Sequence, residues 1–226
     1  MAFGKYLKDL RAEKGLTQKQ LSEVLDVSLP HIKTIESGKG KLPNSKLLES
    51  LSTYLNEPKE LIIKNIVFND DQEYGLVMPE YLQYYIATEY VKGYTFDIFH
   101  PYYNDEGTER RYPCILTRKR EAQVKILVGE LYNEIRIKPD LGDERDLVMI
   151  LVAYLARVEE LQDFPRIREY RFVLDANDEA HNEIYKEYES LTMNFVKETL
   201  IMYLFDYKKC MVMKEHVFSG NPLKDR

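Results

Sequence analysis

Apolar residues recur at helical spacing through the first quarter of the chain. Phe3, Leu7 and Leu10 share one face of a segment running from Ala2 to Lys14, and Gly15 follows as a helix stop. Thr17 with Gln20 three residues on makes a capping box, which opens a helix over 18–25 with Leu21, Val24 and Leu25 inward. Asp26-Val27 makes a turn. Ser28 caps the next helix, Pro30 sits in its first turn, Ile32 and Ile35 point inward, and Gly38 stops it near Ser37. A fourth helix covers 44–55, with Leu47, Leu48, Leu51 and Leu55 on one face. Pro58 opens a short fifth helix through Ile63.

Beyond residue 65 the pattern changes. Residues 66–75 turn acidic and read as a linker between a domain over 1–65 and a second over 76–226. Leu82, Tyr85, Ile86 and Tyr90 predict a helix over 79–92, ended by Gly93. Residues 94–100 and 111–117 are aromatic and β-branched, and they predict a hairpin whose second strand Pro113 places at a sheet edge. A helix is expected over 121–135 from Val124, Leu127, Val128 and Leu131. A helix over 143–162, apolar all round between Leu147 and Leu155, is expected at the centre of the domain. Residues 166–174 alternate as a third strand. From Asp178 no Gly or Pro occurs before Gly220, and Ile184, Tyr188, Leu191, Phe195, Met202 and Phe205 predict a long helix, either a dimerisation element or a core helix. The fold class expected is mainly α: a five-helix N-terminal domain, then a helix-rich α+β domain with a small antiparallel sheet and a long C-terminal helix.

Composition adds bounds. The chain has 226 residues, 44% hydrophobic and 31% charged, a globular balance rather than a disordered one. The run from Leu147 to Ala156 is too short to span a bilayer, and the N-terminus lacks the apolar core of a signal peptide, so a cytoplasmic protein with no membrane partner is expected. Cys114 and Cys210 have no metal-ligand spacing. The net charge of −6 is uneven. Residues 1–65 carry 10 Lys and one Arg against eight acids, a net of +3, while the remainder carries 21 basic and 30 acidic residues, a net of −9. A mildly basic head on an acidic body suits a head that faces phosphate.

The features at the head coincide: Leu16-Thr17-Gln18, Leu21 beside the small Ser22, Val27-Ser28 at the turn, Ile32, the run Ile35-Glu36-Ser37-Gly38, and Leu42-Pro43 before the fourth helix. Residues 3–63 thereby resemble the lambda-repressor-like helix-turn-helix of the Cro, phage-repressor and XRE family. Two positions depart from the family habit: Ser22 stands where Ala is usual, and Asp26 where Gly is usual. The resemblance implies a DNA-binding domain whose third helix enters the major groove. It assigns Leu29, Pro30, Lys33 and Thr34 to base edges. It assigns Gln18, Lys19, Ser28, His31, Lys39 and Lys41 to the DNA backbone. It also implies a homodimer on a palindromic double-stranded operator.

The C-terminal part gives no enzyme signature. His31, His100, His181 and His216 form no His-Glu-x-x-His motif, no glycine-rich phosphate loop occurs, and no self-cleavage serine–lysine arrangement is present. No catalytic residue, cofactor or metal is expected. Asp97 with Glu106, Glu109 and Lys119 offers only a weak parallel to a nuclease site. Arg110-Arg111 and Arg118-Lys119-Arg120 read either as an anion site or as a charged strand edge. The tyrosines from Tyr81 to Tyr112 read either as an effector pocket or as core-rim and interface anchors. The function expected is a dimeric transcriptional repressor whose C-terminal domain dimerises and senses a small molecule or protein. The alternatives are a DNA-targeted enzyme such as a nuclease, and an antitoxin or adaptor holding a partner through its acidic body.

Overall fold

The computed structural model describes residues 2–68, 78–103, 109–120, 131–138, 167–193 and 199–222. The chain divides into two compact units, Met1–Met78 and Pro79–Arg226.

The first unit is helical. Helix α1 spans Ala2–Glu13, α2 Gln18–Val24, α3 Leu29–Thr34, α4 Ser45–Leu55 and α5 Lys59–Val67. A wider turn, Ile35–Lys39, prolongs α3, and within it Gly38, with φ 81°, breaks the helix where the sequence places its stop. Phe3, Leu7, Leu10, Leu21, Leu25, Ile32, Ile35, Leu47, Leu48, Leu51, Ile62 and Ile63 are buried, so most of the predicted inward positions hold. Val24 does not: it is 43% exposed. The inward stripe of α2 passes through Leu21, Ser22 and Leu25, and Ser22 fits there because its hydroxyl donates to the Lys19 carbonyl at 2.7 Å. Helix α5 continues past Ile63 to Val67, with Ile66, Val67 and the following Phe68 buried; residues 69–75 of the expected linker lie outside the described residues.

The second unit is built on a mixed six-stranded sheet in the order β1 to β6. Its strands are β1 Thr95–Tyr103, β2 Glu109–Arg120, β3 Leu131–Lys138, β4 Ile167–Asp175, β5 Thr199–Asp206 and β6 Met211–Ser219. The predicted hairpin forms, with Ile98 opposite Cys114 and Phe96 opposite Leu116, and the weak third strand is β4. The pair β3/β4 and the pair β4/β5 are parallel; the others are antiparallel. The expected antiparallel sheet is therefore corrected to a mixed one.

Three further expectations are corrected. Strand β2 is interior, not an edge, and Pro113 is tolerated because pairing with β3 begins only at Cys114. The helix expected over 121–135 is a strand from Leu131 onward, since Ile135 and Ile137 alternate and fall opposite Leu116 and Cys114; residues 121–130 lie outside the described residues. The long C-terminal helix is absent. Helix α7 spans Glu179–Tyr188 and stops, and β5 and β6 follow. The helix expected over 143–162 lies outside the described residues.

The error at β5 has a physical cause. All eight residues of β5 are buried, because helices cover the sheet on both faces. Such a strand reads as an unbroken apolar run with no alternation, which helical periodicity also fits. Helix α6, Glu80–Val91, covers the odd-numbered face: the Tyr85 ring meets Phe205 edge-on at 5.2 Å and Tyr203 at 6.2 Å. Helix α7 covers the even-numbered face, where Tyr185 joins Tyr170, Phe172, Leu174, Leu200, Met202 and Leu204.

Candidate nucleic-acid interface

Each helix of the motif is fixed by its own ends. The Gln20 N–H donates to Thr17 Oγ1 at 3.2 Å, and the Thr17 N–H donates to Gln20 Oε1 at 2.8 Å, completing the capping box at the start of α2. At its other end the Asp26 N–H donates to the Glu23 carbonyl at 3.3 Å and the Val27 N–H to the Ser22 carbonyl at 3.0 Å. This paired arrangement needs a left-handed residue between, and Asp26 supplies it with φ 52°. The departure from Gly is thus accommodated at a backbone cost. Asp26 Oδ2 also accepts from Lys46 Nζ at 2.9 Å, tying the turn to α4. Ser28 caps α3, its hydroxyl oxygen accepting from the His31 N–H at 3.4 Å.

With Ile32 and Ile35 buried, α3 turns its other side outward. Pro30, His31, Lys33 and Thr34 are exposed, Leu29 is half-buried and the capping Ser28 is exposed. Lys39 and Lys41 are exposed on either side of the buried Gly40, just past the end of α3. Lys33, Lys39 and Lys41 form no ion pair among the described residues, whereas Lys19 lies 4.0 Å from Glu23, both well exposed. The sequence-assigned residues of the 28–41 stretch are therefore exposed apart from the half-buried Leu29, and three of them are cations in no ion pair among the described residues.

Gln18 is placed differently from the others. It is half-buried, and its Nε2 donates to Glu36 Oε2 at 2.8 Å. Arg11 Nε donates to Glu36 Oε1 at 2.9 Å, and Arg11 also donates to the Leu16 carbonyl at 3.1 Å. Glu36 is only 4% exposed. Burial pushes its carboxyl up, but the hydrogen bonds from Arg11 and Gln18 and the charges of Arg11 and Lys8 outweigh it, so the group is held below the ordinary carboxylate value. A buried, fully bonded carboxylate thus clamps the end of α1, the start of α2 and the turn after α3 to one another. Sequence reading gave Glu36 and Arg11 no role. They lie 25 residues apart, and only the packing of α1 beside the end of α3 brings them together.

Two close approaches converge on Ile35, one from α1 and one from the turn itself. A Cβ on Gly4 of α1 would overlap the Ile35 carbonyl oxygen, and one on Gly40 would come within 2.7 Å of the Ile35 Cα.

Of the residues of the nuclease parallel, Glu109 and Lys119 lie near opposite ends of β2, and Glu106 lies outside the described residues. Asp97 lies on β1 opposite Ile115, and no group of three or more His, Cys, Asp or Glu side chains able to hold a metal occurs among the described residues. The two basic clusters lie at opposite ends of β2: Arg110 and Arg111 pair with β1, and Arg118 to Arg120 with β3. No described helix is long and apolar enough to cross a membrane.

Residues 7–62 match a helix-turn-helix family model. Neither curated proteins nor solved structures give a significant match to the chain. The caps, the turn, the buried stripe and the family match agree: residues 7–62 are a lambda-repressor-like helix-turn-helix of the XRE type, the DNA-binding element of a regulator.

Proposed function

We propose that this chain is a sequence-specific transcriptional repressor without catalytic activity of its own. It binds a two-fold operator as a homodimer, with α3 of each copy in the major groove. The observation that carries this reading is the outward face of α3 and its flank, with Pro30, His31, Lys33, Thr34, Lys39 and Lys41 exposed on a helix-turn-helix. Lys33 faces base edges, beside Leu29, Pro30 and Thr34. Lys19, Lys39 and Lys41 face phosphate, with Ser28 and His31 at the margin. Because Gln18 commits its amide nitrogen to Glu36, its contribution at phosphate comes through the backbone N–H at the start of α2.

The second unit supplies dimerisation and senses a small molecule or protein. A single helix-turn-helix reads a short half-site, so a second copy is needed for a long operator. Supporting this, β6 ends the described sheet and exposes Met211 and Met213, 48% and 47% accessible, beside its outer edge.

Selection of bound duplexes from a random pool with the full-length protein tests the reading, alongside light scattering for mass. A palindrome and a dimeric mass are expected. Enrichment of no sequence would overturn it, and so would metal-dependent cleavage of the pool that an Asp97→Ala variant abolishes.

A further inference from the structure

Among the four residues of α3 assigned to base edges, Lys33 is the one whose side chain has a proton free to donate. Pro30 has no N–H, and its carbonyl oxygen accepts from the Thr34 hydroxyl at 2.9 Å. That bond uses the one proton Thr34 has to donate. What Thr34 retains for a partner is a methyl group and the lone pairs of its oxygen. Leu29, half-buried beside Pro30, offers only carbon. Lys33 stands among them, exposed and in no ion pair among the described residues, with three N–H donors.

In the major groove, thymine is marked by its C5-methyl group and guanine by two acceptors, O6 and N7. Adenine and cytosine present amino donors there, for which Leu29 and Pro30 have no acceptor side chain. Resting on the DNA-binding reading above, we propose that α3 reads C5-methyl groups: each half-site carries a guanine held by Lys33, next to thymines whose methyls pack on Leu29, Pro30 and the Thr34 methyl. The feature recognised is the methyl group and not the rest of the thymine ring. It follows that 5-methylcytosine substitutes for thymine at these positions, and that binding responds to cytosine methylation of the DNA.

The test uses the full-length protein and the duplex selected from the random pool, with affinity read by fluorescence anisotropy. Thymines beside the guanine are replaced one at a time by deoxyuridine, which removes only the methyl. Each replacement at a read position is expected to weaken binding about fourfold, the worth of one buried methyl. Cytosine at the same position is expected to bind weakly, and 5-methylcytosine to recover a similar factor. Thr34→Ser, which keeps the hydroxyl and removes the methyl, should abolish the thymine–uracil difference at one position. Thr34→Val, which keeps a methyl and removes the hydroxyl, should preserve it. Equal affinity for thymine and uracil duplexes would overturn methyl reading while leaving sequence-specific binding intact. A difference kept by Thr34→Ser and lost by Thr34→Val would overturn it in favour of the hydroxyl oxygen as the reading atom. Failure to enrich any duplex would sink the underlying reading instead.

Discussion

The Gln18 amide nitrogen donates to Glu36 across 18 residues of sequence, at 2.8 Å. Glu36 is buried, and it accepts from Arg11 on its other side. The start of α2, which faces phosphate in the proposed complex, is thus positioned by a carboxylate that belongs to the helix-turn-helix interior. Its ionised form is the stabilising one. A carboxyl held below its ordinary value of 4.5 contributes stability above that pH and loses it as the pH falls through the folded value. Glu36→Gln is expected to cost about 1–3 kcal/mol at neutral pH and to flatten the acid dependence of α1–α3 as the pH falls below the ordinary carboxylate value. Amide exchange across these helices in the full chain measures both. An unchanged acid profile would show that Glu36 is not the titrating group.

Gly4 gives a test of opposite sign to helix propensity. Alanine in place of a helical glycine ordinarily gains up to about 1 kcal/mol. Here a Cβ would overlap the Ile35 carbonyl oxygen. Gly4→Ala should therefore destabilise the first unit by about 1–3 kcal/mol, seen in denaturant titration as an earlier midpoint. A later midpoint would mean that α1 shifts at little cost.

Asp26 holds a left-handed conformation that Gly adopts without strain. Asp26→Gly should stabilise by about 0.5–1 kcal/mol, even though it removes the exposed pair with Lys46. A rise in melting temperature is the expected readout. A fall would give the Lys46 contact more weight than its exposure suggests.

In the second unit, Arg171 lies buried between Glu169 at 2.6 Å and Glu89 at 2.9 Å, and it donates to the Tyr85 hydroxyl at 2.8 Å. Glu89 is also bridged by Lys92 at 2.8 Å. Arg171→Met removes the cation between two buried carboxylates and is expected to cost about 3–5 kcal/mol. Adding Glu89→Gln and Glu169→Gln should recover much of that loss. Recovery from neither addition would show that the guanidinium acts through packing on Tyr203 and Tyr94, 5.3 and 5.9 Å from their rings.

Lys33 and Lys39 should separate by their effect on DNA. Lys33→Ala is expected to weaken operator binding and relax one base position, by about 1–3 kcal/mol of discrimination. Lys39→Ala should weaken operator and random duplex alike and lower the salt slope by about one. Footprints and salt titrations distinguish them; identical behaviour of the two variants would contradict the assignment.

The sequence by itself determined the head. Thr17 with Gln20, Ser28 with Pro30, and the stops at Gly15 and Gly38 are local signals, because caps and turns are decided within a few residues of chain. The buried stripe of Leu21, Leu25, Ile32 and Ile35 follows from helical period alone, apart from Val24 at its margin. The first hairpin was equally local, with Gly93 before it and aromatic and β-branched residues crowding its first strand. Tertiary structure decided the rest. Strand β5 is apolar from Leu200 to Phe205 because α6 and α7 cover both faces of the sheet, so its period carried no strand signal. The turn into β6 needed neither Gly nor Pro: the Asp206 carboxylate accepts from the Lys208 and Lys209 N–H groups, and Cys210 takes the left-handed conformation with φ 51°. The Glu36 clamp joins residues from three elements, and no pattern within any one of them announces it. Local chemistry wrote the elements that close on themselves, and long-range packing decided those whose partners lie far along the chain.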